Sequence, residues 1–101
     1  MKFAISTSIR NLNKEELLKR CTDGAILEKN DILEYLKSFS PNCYSSALVN
    51  DILEDQETDI SEVGYTDGEY IWYSSWIYHF EKYNLKLNDD FIAHVLSKLS
   101  E

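Results

Sequence analysis

A chain of 101 residues with 44% hydrophobic residues, 28% charged residues and a net charge of −8 has the make-up of one acidic globular domain. It is too short for two cores and too apolar for a disordered chain, and no apolar run approaches the roughly 20 residues of a membrane span. Its first ten residues show no apolar core and no cleavage site of a secretory leader, so the expected compartment is the cytoplasm, where Cys21 and Cys43 read as two reduced thiols.

The negative charge is concentrated. Residues 1–37 balance to +1 and residues 82–101 to 0, whereas residues 38–81 contain no Lys or Arg and carry nine acids. These are Asp51, Glu54, Asp55, Glu57, Asp59, Glu62, Asp67, Glu69 and Glu81. The whole excess therefore lies in one uninterrupted segment.

In chain order, Phe3 and Ile5 alternate with polar residues and predict a short strand within residues 2–7. Asn13 opens a helix: Glu16 completes a capping box, Leu12 and Leu17 occupy the staple positions, and Asp23-Gly24 marks the end. A second helix runs from about Lys29 to Phe39, with Asn30 as its cap, Ile32, Leu33, Leu36 and Phe39 as its buried stripe, and Pro41 as its stop. Tyr35 lies beside that stripe. Residues 42–55 admit two readings. Tyr44, Leu48 and Ile52 recur at helical spacing, but residues 47–53 also read as a strand, which would complete a three-stranded meander. The meander is preferred, because a lone hairpin is marginal.

Asp67-Gly68 then separates two segments rich in aromatic and β-branched residues, the pattern of a two-residue hairpin loop. That turn predicts Thr66 opposite Glu69, Tyr65 opposite Tyr70, Gly64 opposite Ile71 and Val63 opposite Trp72. Val63, Tyr65, Tyr70 and Trp72 would share one face. Ser74 or Ser75 caps the next helix, in which Trp76, Ile77, Phe80 and Tyr83 point inward, Tyr78, His79, Glu81 and Lys82 outward, and Asn84 ends the run. Leu85 and Leu87 tether the last helix. Asn88 caps it, Asp89 and Asp90 suit its dipole, and Phe91, Ile92, Val95, Leu96 and Leu99 form its buried stripe. The fold class is α+β, one domain over residues 1–101: a small antiparallel sheet, hairpin or meander, packed with about four helices.

Catalytic signatures are missing from this pattern. His79 and His94 have no partner at metal-ligand spacing, and both read as surface or partly buried side chains. No glycine lies between Gly24 and Gly64, which excludes a calcium loop in the acidic run. There is no nucleophile elbow, phosphate loop or dinucleotide fingerprint. The reading is therefore a non-catalytic protein without metal or cofactor. Nucleic acid is disfavoured, because a segment of charge −9 repels phosphates.

Thirteen aromatic residues compete for a small core, and Tyr73 and Tyr78 fall off the predicted stripes. Exposed tyrosines set among carboxylates describe a surface for a basic protein: aromatics anchor, and a field of one sign steers. The residues assigned to it are Asp51, Glu54, Asp55, Glu57, Asp59, Glu62, Tyr65, Asp67, Glu69, Tyr70, Tyr73 and Tyr78.

The run Tyr65-Thr66-Asp67-Gly68-Glu69-Tyr70-Ile71-Trp72 is followed by Tyr78-His79-Phe80-Glu81-Lys82-Tyr83 and by Leu87-Asn88-Asp89-Asp90-Phe91-Ile92. Over about residues 59–95 this pattern is similar to that of small bacterial immunity proteins of contact-dependent growth inhibition and polymorphic-toxin systems. The resemblance implies a cytoplasmic protein, monomeric or weakly dimeric, that binds and neutralises a cognate toxin. The acidic surface makes a nuclease-type toxin, with its positive cleft, the expected partner. A small acidic regulatory adaptor for a protein unrelated to any toxin is the alternative, and an enzyme acting on a small cation in an acidic aromatic groove is a third.

Overall fold

The computed structural model describes residues 2–5, 12–22, 26, 28–51, 53 and 59–101. Among them are four helices and one four-stranded sheet. In chain order they are β1 (Lys2–Phe3), α1 (Lys14–Lys19), α2 (Lys29–Lys37), β2 (Cys43–Asn50), β3 (Asp59–Thr66), β4 (Tyr70–Tyr73), α3 (Ser74–Tyr83) and α4 (Asp89–Leu99). The α+β class holds, and the sheet is larger than a hairpin: its order is β1-β4-β3-β2. Residues 43–50 are strand, so β2, β3 and β4 form the antiparallel meander, and β1 adds to β4 in parallel.

Local signals account for much of this. Asn13 accepts a hydrogen bond from Glu16 N at 2.8 Å, and Glu16 Oε1 accepts one from Asn13 N at 3.2 Å, closing the predicted capping box of α1. The predicted stop at Asp23-Gly24 lies outside the described residues. Helix α2 starts one residue before the predicted cap: Glu28 is the N-cap, left-handed at φ 59°, and Asn30 lies inside the helix. Helix α3 is capped from outside. Tyr73 is its N-cap without a side-chain bond, Ser74 and Ser75 sit in its first turn, and a carboxylate of β3 supplies the acceptor.

The hairpin register differs from expectation by two residues. Tyr65 lies opposite Trp72, Thr66 opposite Ile71 and Gly64 opposite Tyr73. Asp67 Oδ1 accepts from both Glu69 N and Tyr70 N at 2.9 Å, so the side chain ties down the backbone donors that a two-residue loop would place in the ladder. A shift of two preserves parity, and the predicted faces survive.

On the face of Tyr70 and Trp72 the core is aromatic. Trp72, 1% exposed, lies with ring centroids 5.6 Å from Phe91, 5.5 Å from Phe39 and 6.1 Å from Tyr35, and its Nε1 donates to Leu36 O at 3.1 Å. Helices α2 and α4 thus pack on this face. Helix α3 packs against β3, β4 and α2. That enclosure buries Ser75, Trp76, Ile77, His79 and Phe80 together, so His79 is core and not the outward residue that a single helical stripe predicts. Leu99, placed in the stripe of α4, is exposed. An isolated bridge joins Cys21 to Leu85, and both cysteines are free.

Candidate partner interface

The twelve residues assigned from sequence to one binding surface divide into an inward and an outward set. Asp51 is fully buried just beyond β2. Its Oδ2 accepts from Tyr78 OH at 2.6 Å, from Tyr83 OH and from Lys82 Nζ at 3.4 Å, and its Oδ1 accepts from Leu53 N at 3.0 Å. These four donors satisfy carboxylate oxygens whose burial would otherwise be costly. The pairing acts on its partners: the bond to Asp51 raises Tyr78, and contact with Tyr78 and Asp51 raises Lys82. Asp51 and Tyr78 are thereby corrected from a partner surface to an internal tie between the end of β2 and α3.

Glu62 is likewise corrected. It is 4% exposed, and its Oε1 accepts from Ser75 N at 3.1 Å while Oε2 accepts from Ser75 Oγ at 2.8 Å. A carboxylate on the N-terminal turn of α3 satisfies an orphan donor and complements the helix dipole. Beside it, Ser74 Oγ accepts from Val63 N at 2.9 Å and donates to Ser61 O at 2.6 Å, so a side chain continues the β3 ladder after β4 has turned into helix.

Asp67 is the third internal carboxylate, its side chain 4% exposed. Besides the two turn amides it accepts from Tyr35 OH of α2 at 2.5 Å and contacts His94 Nε2 of α4 at 2.6 Å. Burial pushes this carboxyl up, but the bonds from Tyr35, the two amides and His94 outweigh it and hold the group at about 2. Burial and the same carboxylate push the Tyr35 phenol up. His94 Nδ1 lies 3.5 Å from Glu69 Oε2, so both ring nitrogens face carboxylates. Tyr70 is buried too. Its ring lies tilted against that of His94 at 4.7 Å, and its hydroxyl donates to Asp90 at 3.1 Å; burial and that bond raise its phenol.

His79, fully buried, donates from Nδ1 to Ser75 O at 2.7 Å. Its Nε2 is a buried acceptor without a partner, and burial lowers the ring below its ordinary value. The predicted surface or partly buried role is overturned here.

The outward set is smaller. Glu69 is exposed, and Tyr65 and Tyr73 are half-buried, the Tyr73 ring 5.0 Å from that of Trp76. Asp59 begins β3 opposite Asn50, and its side chain lies outside the described set, as do Glu54, Asp55 and Glu57. Among the described residues, the most exposed large apolar side chains escaped the sequence reading: Tyr44 at 78% and Leu48 at 55%, both on β2. The signal was an uncharged run, residues 38–50, inside the acidic segment. Among the described residues no group of three or more His, Cys, Asp or Glu is placed to hold a metal, and no helix is long and apolar enough to cross a membrane.

No protein-family model matches the chain, no curated protein matches its sequence and no solved structure matches its fold.

Proposed function

We propose that this chain is a non-catalytic binding protein that neutralises a basic partner in the cytoplasm, and that the partner is a toxin domain of nuclease type, as the resemblance to small bacterial immunity proteins implies. One observation carries the reading: the entire negative excess of the protein lies in residues 38–81, which hold no Lys or Arg. Asp51, Glu62 and Asp67 are engaged by donors of their own chain, so the reading assigns the contact with a cationic cleft to the exposed Glu69 and, by their place in the acidic segment, to Glu54, Asp55, Glu57 and Asp59. Tyr65 and Tyr73 supply the part-exposed aromatic contact. Charges of this kind act first on the association rate and on specificity.

The test has two steps. Co-purification from the native host at low salt should retain a stoichiometric basic protein that elutes with salt and whose toxicity the chain abolishes. Reversal of Glu54, Asp55, Glu57 and Asp59 to lysine should then slow association and flatten its salt dependence. Unchanged kinetics would remove the acidic mechanism. A stoichiometric partner that is not a toxin would establish the regulatory adaptor in its place.

A further inference from the structure

We propose that His94 is a proton-operated latch on the β3–β4 turn: with a proton on each ring nitrogen it holds Asp67 and Glu69 together, and when it gives up the proton on Nδ1 it lets Glu69 go. The latch does not rest on the toxin reading.

The site joins three elements. His94 of α4 is set between the two carboxylates of the turn, with Nε2 2.6 Å from Asp67 Oδ2 and Nδ1 3.5 Å from Glu69 Oε2. The Asp67 side chain is 4% exposed and that of Glu69 63%, so one carboxylate is fixed inside and the other is free to swing into water. Tyr35 of α2 donates to the same Asp67 oxygen at 2.5 Å. The rings of Tyr70 and Phe91 lie 4.7 Å and 6.4 Å from the imidazole and hold its plane.

This geometry decides which nitrogen exchanges its proton. Asp67, held at about 2, is an anion across the neutral range, and an ionised carboxylate only accepts. The nitrogen facing it must donate, so the Nε2 proton stays in place in both states of the ring. The proton that comes and goes is the one on Nδ1. When present, it points a donor at Glu69 and completes a charge-assisted contact. When absent, it leaves a lone pair facing a carboxylate oxygen, and the exposed Glu69 finds its better partner in water.

Among the described residues, the titratable and charged groups about the ring come from every element packed there. They are Asp67, Glu69 and Tyr70 of the turn and β4, Tyr35 of α2 acting through Asp67, and Asp90 of α4, which takes the Tyr70 hydroxyl. Lys2 of β1 lies over the Tyr70 ring at 5.7 Å, and Glu101 acts on Tyr35. Asp67 and Asp90 keep their tyrosine donors in both states; Glu69 is the group whose contact the Nδ1 proton decides. Loss of that proton removes a positive charge from the turn and frees its outward acid in the same event. A cationic partner therefore meets Glu69 free at higher pH and tied at lower pH, a consequence that alone depends on the function proposed above.

NMR of the intact wild-type chain from about pH 5 to about pH 8 tests this. The ring nitrogen shifts should show Nε2 protonated throughout and the change confined to Nδ1. Cross-relaxation between the Glu69 Hγ protons and His94 Hε1 should be strongest at the acid end and fall about threefold as Nδ1 loses its proton. In His94→Gln, whose amide still donates to Asp67, the Glu69 side chain should show no such change. A ring that keeps one protonation state throughout, a neutral ring with its proton on Nδ1, a Glu69 contact indifferent to the state of the ring, or a Glu69 change that persists in His94→Gln would each overturn the proposal. The first three outcomes are read on the wild type, so a His94→Gln chain that fails to fold does not shelter it. Partner binding in the native host is a separate measurement, so the two readings fail separately.

Discussion

Replacing Asp67 with asparagine separates the shape of the turn from its charge. The amide oxygen can still accept from Glu69 N and Tyr70 N, the two bonds that set the loop. What goes is the anion facing Tyr35 OH and His94 Nε2. In the folded chain the carboxyl is held at about 2, against an ordinary 3.8. At about 1.4 kcal/mol for each factor of ten in proton affinity, and after allowance for water that still reaches the turn, this is worth about 1–2 kcal/mol at neutral pH. Because the folded value is depressed, the contribution is complete above about pH 4 and fades as the pH falls toward about 2. Urea unfolding of wild type and Asp67→Asn across this range should give a stability difference of about 1–2 kcal/mol at neutral pH that shrinks steadily in acid. A difference that is the same at neutral pH and at about pH 2 would refute the claim that the turn is anchored by a carboxylate.

Three further substitutions probe the sheet. A Cβ at Gly64 would lie 2.5 Å from Cys43 Sγ and 3.2 Å from the Tyr73 ring, so Gly64→Ala should destabilise by about 1–3 kcal/mol, and Cys43→Ala in the same chain should recover part of the loss by chemical denaturation. Glu62→Ala leaves Ser75 N and Oγ buried without their acceptor and should cost about 2–3 kcal/mol, whereas Glu62→Gln keeps one oxygen and should cost less than half of that in the same assay. Trp72→Phe removes the donor to Leu36 O and opens a void beside Phe91; a thermal-melt loss of about 2–4 kcal/mol is expected, with reduced protection of α2 amides in hydrogen exchange.

How far the sequence reached depends on the range of the interaction. The Asn13–Glu16 box was legible because both partners lie within one helical turn. The shared face of Tyr65, Tyr70 and Trp72 was legible because strand parity is local, even though the hairpin register was not. The register turned on what the Asp67 side chain bonds, which a dipeptide rule for Asp-Gly does not include. Buried acids were the larger failure. Composition gives a carboxylate no reason to be inside; Glu62 is satisfied by Ser75, 13 positions on, and Asp51 by Tyr78, 27 positions on, and only the folded chain brings them together. The candidate surface was accordingly overdrawn inward, at the buried Asp51, Glu62 and Tyr70 and at Asp67 and the half-buried Tyr78, whose polar groups are tied to their own chain, and missed outward, at Tyr44 and Leu48. His79 failed for a related reason: a helical wheel assumes one wet side, and α3 is enclosed by α2 and the sheet.

The parallel docking of β1 has a consequence for how the molecule is completed. Lys2 N reaches Glu69 O at 3.1 Å, Ala4 N reaches Ile71 O at 3.0 Å, and Ala4 O receives Asn88 N at 2.8 Å. Asn88 Nδ2 also donates to Phe3 O across 85 positions of sequence. Among the described residues, the first to leave the ribosome are therefore among the last to find their partners. Until the start of α4 has emerged, β4 is a bare edge beside a fully buried alanine that has nothing to bury it. Loop closure over such a separation is slow compared with hairpin formation, so the β2-β3-β4 meander can form first and wait. During that wait β4 is an open edge of the nascent sheet, and docking of residues 2–4 is the step that covers it.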